Sequence, residues 1–403
     1  MGCAVIKRAL ENKLKKAVTQ YPVVTLTGPR QSGKTTLVRA VFKNYDYVSL
    51  EDPELRSFVL EDPRGFLQQF RKNVILDEVQ RTPELFSYIQ TIVDEENRAG
   101  QFILTGSQNF LLLESISQTL AGRCAIFHLL PFSRDELAGI PSLPADQIGL
   151  TLPTDRKIPD LDLNSQLFQG FYPRIHDKKL DPRDWLKNYY QTYLERDVRE
   201  IINVGDLETF RRFTALCAGR SGQLLNFSNL ASDCGITHTT ARRWLSVLEA
   251  SFLVVLLRPH YQNFRKRLVK TPKLYFVDTG LLCYLLRIRE PDELAFHAAR
   301  GAIFETFVVS ELYKRAFNAG QDSDCFFWRD SAGHEVDIII DLGSTLISIE
   351  IKSGTTINKD FFNGLNYWQN LIGTKVKSRA ALIYGGNNSV IRNKIYVYAW
   401  WNF

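Results

Sequence analysis

Gly28-Pro29-Arg30-Gln31-Ser32-Gly33-Lys34-Thr35 fills every fixed position of the pattern G-x-x-x-x-G-K-[ST]. The run Val23 to Thr27 precedes it, and Thr36-Leu37-Val38-Arg39-Ala40-Val41-Phe42 follows with helical spacing. The pattern therefore lies between a buried strand and a helix N-terminus, where a phosphate-binding loop has to lie. Gly28 and Gly33 let the backbone wrap so that successive N–H groups point at the β-phosphate. Lys34 is placed to reach the β- and γ-oxygens, and the Thr35 hydroxyl to ligate Mg²⁺. The expected nucleotide contacts are Gly28, Pro29, Arg30, Gln31, Ser32, Gly33, Lys34, Thr35 and Thr36, joined by Ser107 from further along the chain.

Asn73-Val74-Ile75-Leu76-Asp77-Glu78 reads as a second buried strand, ending in two carboxylates. Asp77 is expected to hold Mg²⁺ through water, and Glu78 to polarise the water attacking the γ-phosphate. Phe102-Ile103-Leu104-Thr105-Gly106-Ser107-Gln108 is a third such strand, and Thr105 or Ser107 is placed to sense the γ-phosphate. In Leu120-Ala121-Gly122-Arg123 the arginine is expected as a finger acting on a neighbouring subunit's site, against the plainer reading of a surface ion pair.

The chain has 403 residues, 45% hydrophobic and 23% charged, a composition ordinary for a folded protein large enough for several cores. Its N-terminal stretch, Met1 to Lys16, is basic and amphipathic without a secretory signal core, and no run of apolar residues is long enough to span a bilayer. Cytoplasmic residence without membrane attachment is the expectation. Six scattered cysteines form no C-x-x-C pair, which argues against a disulfide framework or a zinc site and for buried thiols.

The formal charge of +6 is mild, but its distribution is uneven. Arg258, Arg265, Lys266, Arg267, Lys270 and Lys273 follow one another without an acid, with Tyr261 and Phe264 interleaved. Ahead of them lies a helix-turn-helix pattern: Leu230, Ala231 and Cys234 on one apolar face, Gly235 at the turn, Thr237 as a cap, then Ala241, Trp244, Leu245 and Leu248. This layout predicts a winged helix with a positive wing. Arg242, Arg243, Arg265, Lys266 and Arg267 are its expected DNA contacts, and a packing platform is the alternative. Tyr193-Leu194-Glu195-Arg196-Asp197-Val198-Arg199 continues a helical lid from which Arg196 or Arg199 could reach the nucleotide.

The last hundred residues hold a second constellation. Glu305 falls on a helical run, His334-Glu335-Val336-Asp337-Ile338-Ile339-Ile340-Asp341 reads as a strand, and Leu346-Ile347-Ser348-Ile349-Glu350-Ile351-Lys352 returns as its hairpin partner. Alternation puts Glu350 and Lys352 on one face beside Asp337. Glu305, Asp337 and Glu350 are candidate Mg²⁺ ligands, with Glu350 and Lys352 as the catalytic pair of a metal-assisted phosphodiesterase.

The resulting organisation is an α/β protein: a P-loop ATPase core at 1–140, a linker or insertion rich in proline at 141–180, a helical lid and winged helix at 181–290, and a nuclease-like α/β domain at 291–403. Taken together, GPRQSGKTTL (28–37), VILDEVQ (74–80), LTGSQNFLL (104–112), LAGR (120–123), YLERDVR (193–199), KRLVKTPKLYFVDTGL (266–281) and HEVDIII with IEIKSG (334–340, 349–354) resemble a large bacterial and archaeal family of AAA-type ATPases. In that family a C-terminal domain of unknown function looks like a restriction-endonuclease fold. The resemblance implies ATP and Mg²⁺ as cofactors, hydrolysis in a homo-oligomer such as a hexameric ring, DNA as the partner of the winged helix, and a nuclease-like module. A nucleotide-regulated partner-binding switch with a non-catalytic C-terminal domain is the competing reading.

Overall fold

The computed structural model describes residues 6–70, 73–107, 116, 118–194, 207–260, 270–373 and 376–403. The chain divides into two compact units: residues 1–132 with 250–252 and 317–321, and residues 133–249 with 253–316 and 322–403.

The first unit is a parallel sheet, β1 (Val23–Thr27), β2 (Asp46–Ser49), β3 (Val74–Asp77), β4 (Phe102–Gly106) and β5 (Cys124–His128), in the order β2-β3-β4-β1-β5. Near-continuous apolar runs suit strands covered on both faces. Their alternation divides the core: Val23, Val74, Leu76, Phe102 and Leu104 pack on one side, and Val24, Leu26, Ile75 and Ile103 on the other. Helices α3 (Pro53–Glu61), α4 (Pro63–Gln68) and α5 (Leu85–Glu96) supply Val59, Phe66, Leu67, Phe86, Ile89 and Val93 to the first side. Helices α1 (Glu11–Ala17) and α2 (Lys34–Val41) cover the second with Leu10, Leu14, Leu37 and Val38. Every strand being parallel, the phosphate loop after β1, Asp77 at the end of β3 and Ser107 after β4 share one edge of the sheet. That carboxyl edge is where open α/β sheets bind ligands.

The second unit contains a mixed sheet built from β6 (Val254–Pro259), β7 (Lys273–Phe276), β8 (Cys325–Arg329), β9 (Glu335–Asp341), β10 (Leu346–Lys352), β11 (Ser378–Tyr384), β12 (Val390–Arg392) and β13 (Ile395–Ala399). Their order is β12-β13-β11-β10-β9-β8-β6-β7. Strand β6 changes partner midway: Val254 to Leu257 pair antiparallel with β7, and Arg258 and Pro259 pair parallel with β8. The hairpin expected as a wing at 181–290 thus shares a sheet with the strands expected at 291–403. Helices Leu207–Ala218, Phe227–Cys234 and His238–Ala250 precede it, with a single antiparallel bridge between Leu224 and Lys273. Leu230, Ala231, Cys234, Ala241, Trp244, Leu245 and Leu248 are all buried, as their spacing predicts, and Gly235 closes helix Phe227–Cys234 at φ 70°. The charged residues Arg196 and Arg199, and the segment holding Tyr261, Phe264, Arg265, Lys266 and Arg267, lie outside the described residues.

The proline-rich stretch from 141 is irregular, but it is strapped to the end of the chain rather than left as a loose linker. Gly149 donates its N–H to the Tyr398 hydroxyl at 2.8 Å, Asn402 donates to the Pro153 carbonyl at 3.1 Å, and Arg156 donates to the Phe403 carbonyl at 3.0 Å. Helices Leu163–Gln169 and Pro173–Lys178 follow within the expected linker. Gly170 turns between them at φ 66°, where an added Cβ would lie 2.5 Å from an Asp278 carboxylate oxygen. Cys217, Cys234, Cys283 and Cys325 are buried free thiols and Cys124 is partly buried. Among the described residues no helix is long and apolar enough to cross a membrane.

Candidate active site

Gly28 leaves β1 at φ 154°, pressed so closely on the next segment that a Cβ there would stand 2.1 Å from the Leu129 carbonyl oxygen. Only glycine satisfies both conditions. Gln31 at φ 62° and Gly33 at φ 94° take the loop into the first turn of α2. Ser32 is fully buried, and its Oγ has no hydrogen-bond partner in the structure. Lys34 is buried and donates to the Gly28 and Pro29 carbonyl oxygens, both at 2.9 Å. Its ammonium is thereby held over the loop.

Three hydroxyls converge on Asp77. Thr35 donates to Oδ2 at 2.8 Å, Tyr47 donates to the same oxygen at 2.7 Å, and Thr105 donates to Oδ1. Tyr47 is a participant that the motifs did not reveal. Burial pushes its phenol well above the ordinary value, and the neighbouring Asp77 carboxylate adds to this. It therefore remains a donor at any physiological pH. Arg39 of α2 lies over its ring at 4.6 Å from the centroid.

Glu78 sits in the left-handed region at φ 57°, immediately after β3, which turns its side chain away from the strand's alternation. Ser107 donates to Glu78 Oε2 at 3.0 Å, and Gln80 donates to the same oxygen. Burial raises the affinity of this carboxyl for a proton. The opposing effects of the Lys34 charge, the Gln80 hydrogen bond, the Arg30 charge and the Ser107 hydrogen bond prevail, leaving it below the ordinary carboxylate value. The structure thus gathers Lys34, Thr35, Asp77, Glu78, Thr105 and Ser107, and adds Tyr47 and Gln80. Gln80 closes the VILDEVQ motif, so its two-residue spacing from Glu78 was the signal for it.

Arg123 is not among them. It immediately precedes β5, whose Cys124 is in register with Val23 at the start of β1, whereas the loop begins after Thr27 at the other end. Five residues at about 3.3 Å each put roughly 16 Å of strand between them. Arg123 instead makes a two-pronged ion pair with Asp94 of α5, in which Nη2 donates to Oδ2 at 3.0 Å and Nε donates to Oδ1.

In the second unit Arg242 and Arg243 are exposed on helix His238–Ala250, with the Arg242 guanidinium 5.1 Å from the Phe227 ring centroid. Lys273, expected to add to the wing's positive surface, is buried. Its ammonium lies 3.0 Å from Glu305 Oε1 and also pairs with Glu335 Oε1. Asp337 accepts a hydrogen bond from the Ile351 amide at 2.8 Å, which sets it beside Glu350 and Lys352 as the strand alternation predicts. Lys352 Nζ donates to Glu350 Oε1 at 2.6 Å. Burial raises the Glu350 carboxyl to about 8, helped by the Asp337 charge and opposed by Lys352. Burial also raises Glu305 and Asp337. The expected divalent-ion set does not fit as these residues stand. Among the described residues no group of three or more His, Cys, Asp or Glu is arranged to hold a metal ion, and the carboxylates are engaged by lysines.

Residues 20–138 match the model of an AAA domain, residues 160–292 a domain of unknown function (DUF8612), and residues 300–403 another (DUF4143). Among solved structures, the Walker-type ATPase PABY2304 of Pyrococcus abyssi is 15% identical at a TM-score of 0.42, covering 69% of this chain and 95% of its own. The RuvB Holliday junction branch migration motor of Thermotoga maritima is 17% identical at 0.30, covering 62% and 88%. Uncharacterized proteins of Mycobacterium tuberculosis and Mycobacterium bovis are each 32% identical over 358 residues, 88% of this chain and 76% of theirs. At that identity and coverage the chain belongs to the same family as these mycobacterial proteins, a family built on an AAA ATPase domain followed by two domains of unknown function.

Proposed function

We propose that this protein is an ATPase that couples hydrolysis to the binding or remodelling of DNA. The observation carrying the first half is the convergence of Lys34, Thr35, Asp77 and Glu78 on the carboxyl edge of one parallel sheet. The loop fits a nucleotide: Ser32 brings a buried hydroxyl without a partner, and the N-terminus of α2 with Lys34 supplies the donors and charge for phosphate oxygens. Thr35 and Asp77, already in contact, are the residues that would hold Mg²⁺. When bound, that ion neutralises charge on the β- and γ-phosphates.

The remaining chemistry falls to the chain's own groups. Glu78 stays ionised at neutral pH, so its Oε2 can accept a proton from an attacking water, and Ser107 and Gln80 fix where that oxygen points. Tyr47 and Thr105 orient Asp77 and stay protonated themselves.

The reading of DNA as partner rests on the order of elements from 207 to 276: helix, bridge, helix, turn, helix and antiparallel hairpin, the order of a winged helix. Exposed Arg242 and Arg243 support phosphate contact from its second turn-linked helix. ATPase rates measured with and without single-stranded, duplex and forked DNA test the proposal. Stimulation of several-fold that weakens steeply with salt is expected, and Arg242→Ala with Arg243→Ala should lower DNA affinity nearly uniformly across sequences. An unstimulated ATPase with no salt-dependent DNA binding would leave the competing switch reading in its place.

A further inference from the structure

Lys273 reaches the acidic cluster of the second unit from outside the segment that supplies its carboxylates. It starts β7, opposite Leu257 of β6, where β6 changes partner from β7 to β8. Glu305 comes from helix Arg300–Asn318, Glu335 and Asp337 from β9, and Glu350 from β10. With its side chain 4% exposed, Lys273 is among the most enclosed ammonium groups of the chain, yet it touches two carboxylates. Tyr275, two residues on and on the same face of β7, donates its hydroxyl to the same Glu305 oxygen.

The far side of the cluster is closed as well. Glu350 Oε2 is buried without a hydrogen-bond partner, and a Cβ added at Gly364 would lie 2.8 Å from it. Gly364 thus bounds one side of Oε2. Oε1 is taken by Lys352. The cluster of four carboxylates thus already holds three cations, the ammonium groups of Lys273 and Lys352 and the guanidinium of Arg329, which donates to Glu335 Oε2 at 2.9 Å.

We infer that Lys273 is the resident cation of this cluster, standing where a metal-dependent phosphodiesterase would hold its divalent ion. The cluster then serves as a clamp that ties the β6–β7 hairpin to the C-terminal fold, with no nuclease step. An ammonium suits the place because it is a compact point charge with three donors, able to serve Glu305 and Glu335 together. Burial would ordinarily disfavour its charge. The Glu305, Asp337 and Glu335 charges outweigh that and keep it protonated.

This inference is independent of the ATPase assignment, and its test needs no nucleotide. Mn²⁺ binding to the full chain is followed by electron paramagnetic resonance and by thermal unfolding, for the native protein, Lys273→Met, Lys273→Met with Glu305→Gln, and Glu305→Gln alone. The native protein should show no Mn²⁺ site that depends on Glu305, the carboxylate that Lys273 touches. Lys273→Met should lower the Tm by about 5 °C or more in the absence of metal, and Mn²⁺ should restore part of the loss. The double variant should lose that restoration. Glu305-dependent Mn²⁺ binding by the native protein would overturn the inference even if Lys273→Met failed to fold. So would a folded Lys273→Met variant that Mn²⁺ neither binds nor restores.

Discussion

At the scale of single residues, Glu78 has the most exacting surroundings. The positive charges of Lys34 and Arg30 and the two donors on Oε2 all favour the ionised base. Glu78→Gln should therefore retain ATP binding while kcat falls by about 10²–10⁴-fold, as expected when a general base is removed. The pH profile follows from the same shift. Because the carboxyl lies below its ordinary value, the base remains available down through weakly acidic pH, and the acid limb of kcat should lie below the ordinary carboxylate range wherever the protein stays folded. The stability linked to this depressed value is present above the unfolded-state value and is lost as pH falls through the folded one. Replacing Gln80 by Leu removes a donor to Oε2, so the acid limb should shift upward in a stopped assay across pH. An unmoved limb would show that Gln80 does not tune this base.

Among the elements, the phosphate loop depends on one glycine for shape and on another for entry into α2. Gly28→Ala places a methyl group against the Leu129 carbonyl at a backbone angle that alanine resists, and should cost about 2–4 kcal/mol in denaturant titration. Gly122→Ala is a suitable control, since its φ of 76° is also positive but nothing lies within 4 Å of the added Cβ. It should cost only about 1 kcal/mol. Strands β1, β3 and β4 of the first unit were legible because each carried two signals, an apolar run and a polar motif at its carboxyl end. Helices Phe227–Cys234 and His238–Ala250 were legible from spacing and caps. Strands β11 and β13 and helix Asn363–Ile372, which complete the C-terminal sheet, carry apolar patterns without chemical motifs and went unread. Tyr47 was hidden for a related reason: it lies on an edge strand with no motif, and only the parallel pairing of β2 with β3 brings it to Asp77. Lys273 was read with its neighbours as part of a basic surface, because sequence proximity to Lys270 does not reveal that strand alternation turns it inward.

For the whole molecule, the decisive question is whether hydrolysis needs a second subunit. Arg123 stands at the amino end of the sheet and the phosphate loop at the carboxyl end, so it cannot complete the site of its own subunit. If it acts in trans, the Asp94 pair must open on assembly, joining opposite sheet edges in a heterologous contact that closes as a ring or runs on as a filament. Mixing Lys34→Ala with Arg123→Ala subunits, each inactive alone, should then recover a measurable fraction of native turnover. Full activity of Arg123→Ala alone would reduce the residue to its surface ion pair. The partner exchange along β6 bears on how the molecule can be divided. A fragment of 291–403 would lose β6, β7 and Lys273 together, leaving the backbone groups of β8 unpaired along an open edge and Glu305 without its ammonium. Such a piece presents a template for edge-to-edge association, so a self-sufficient portion of the second half has to include β6 and β7, which begin well before the region that carries the carboxylates.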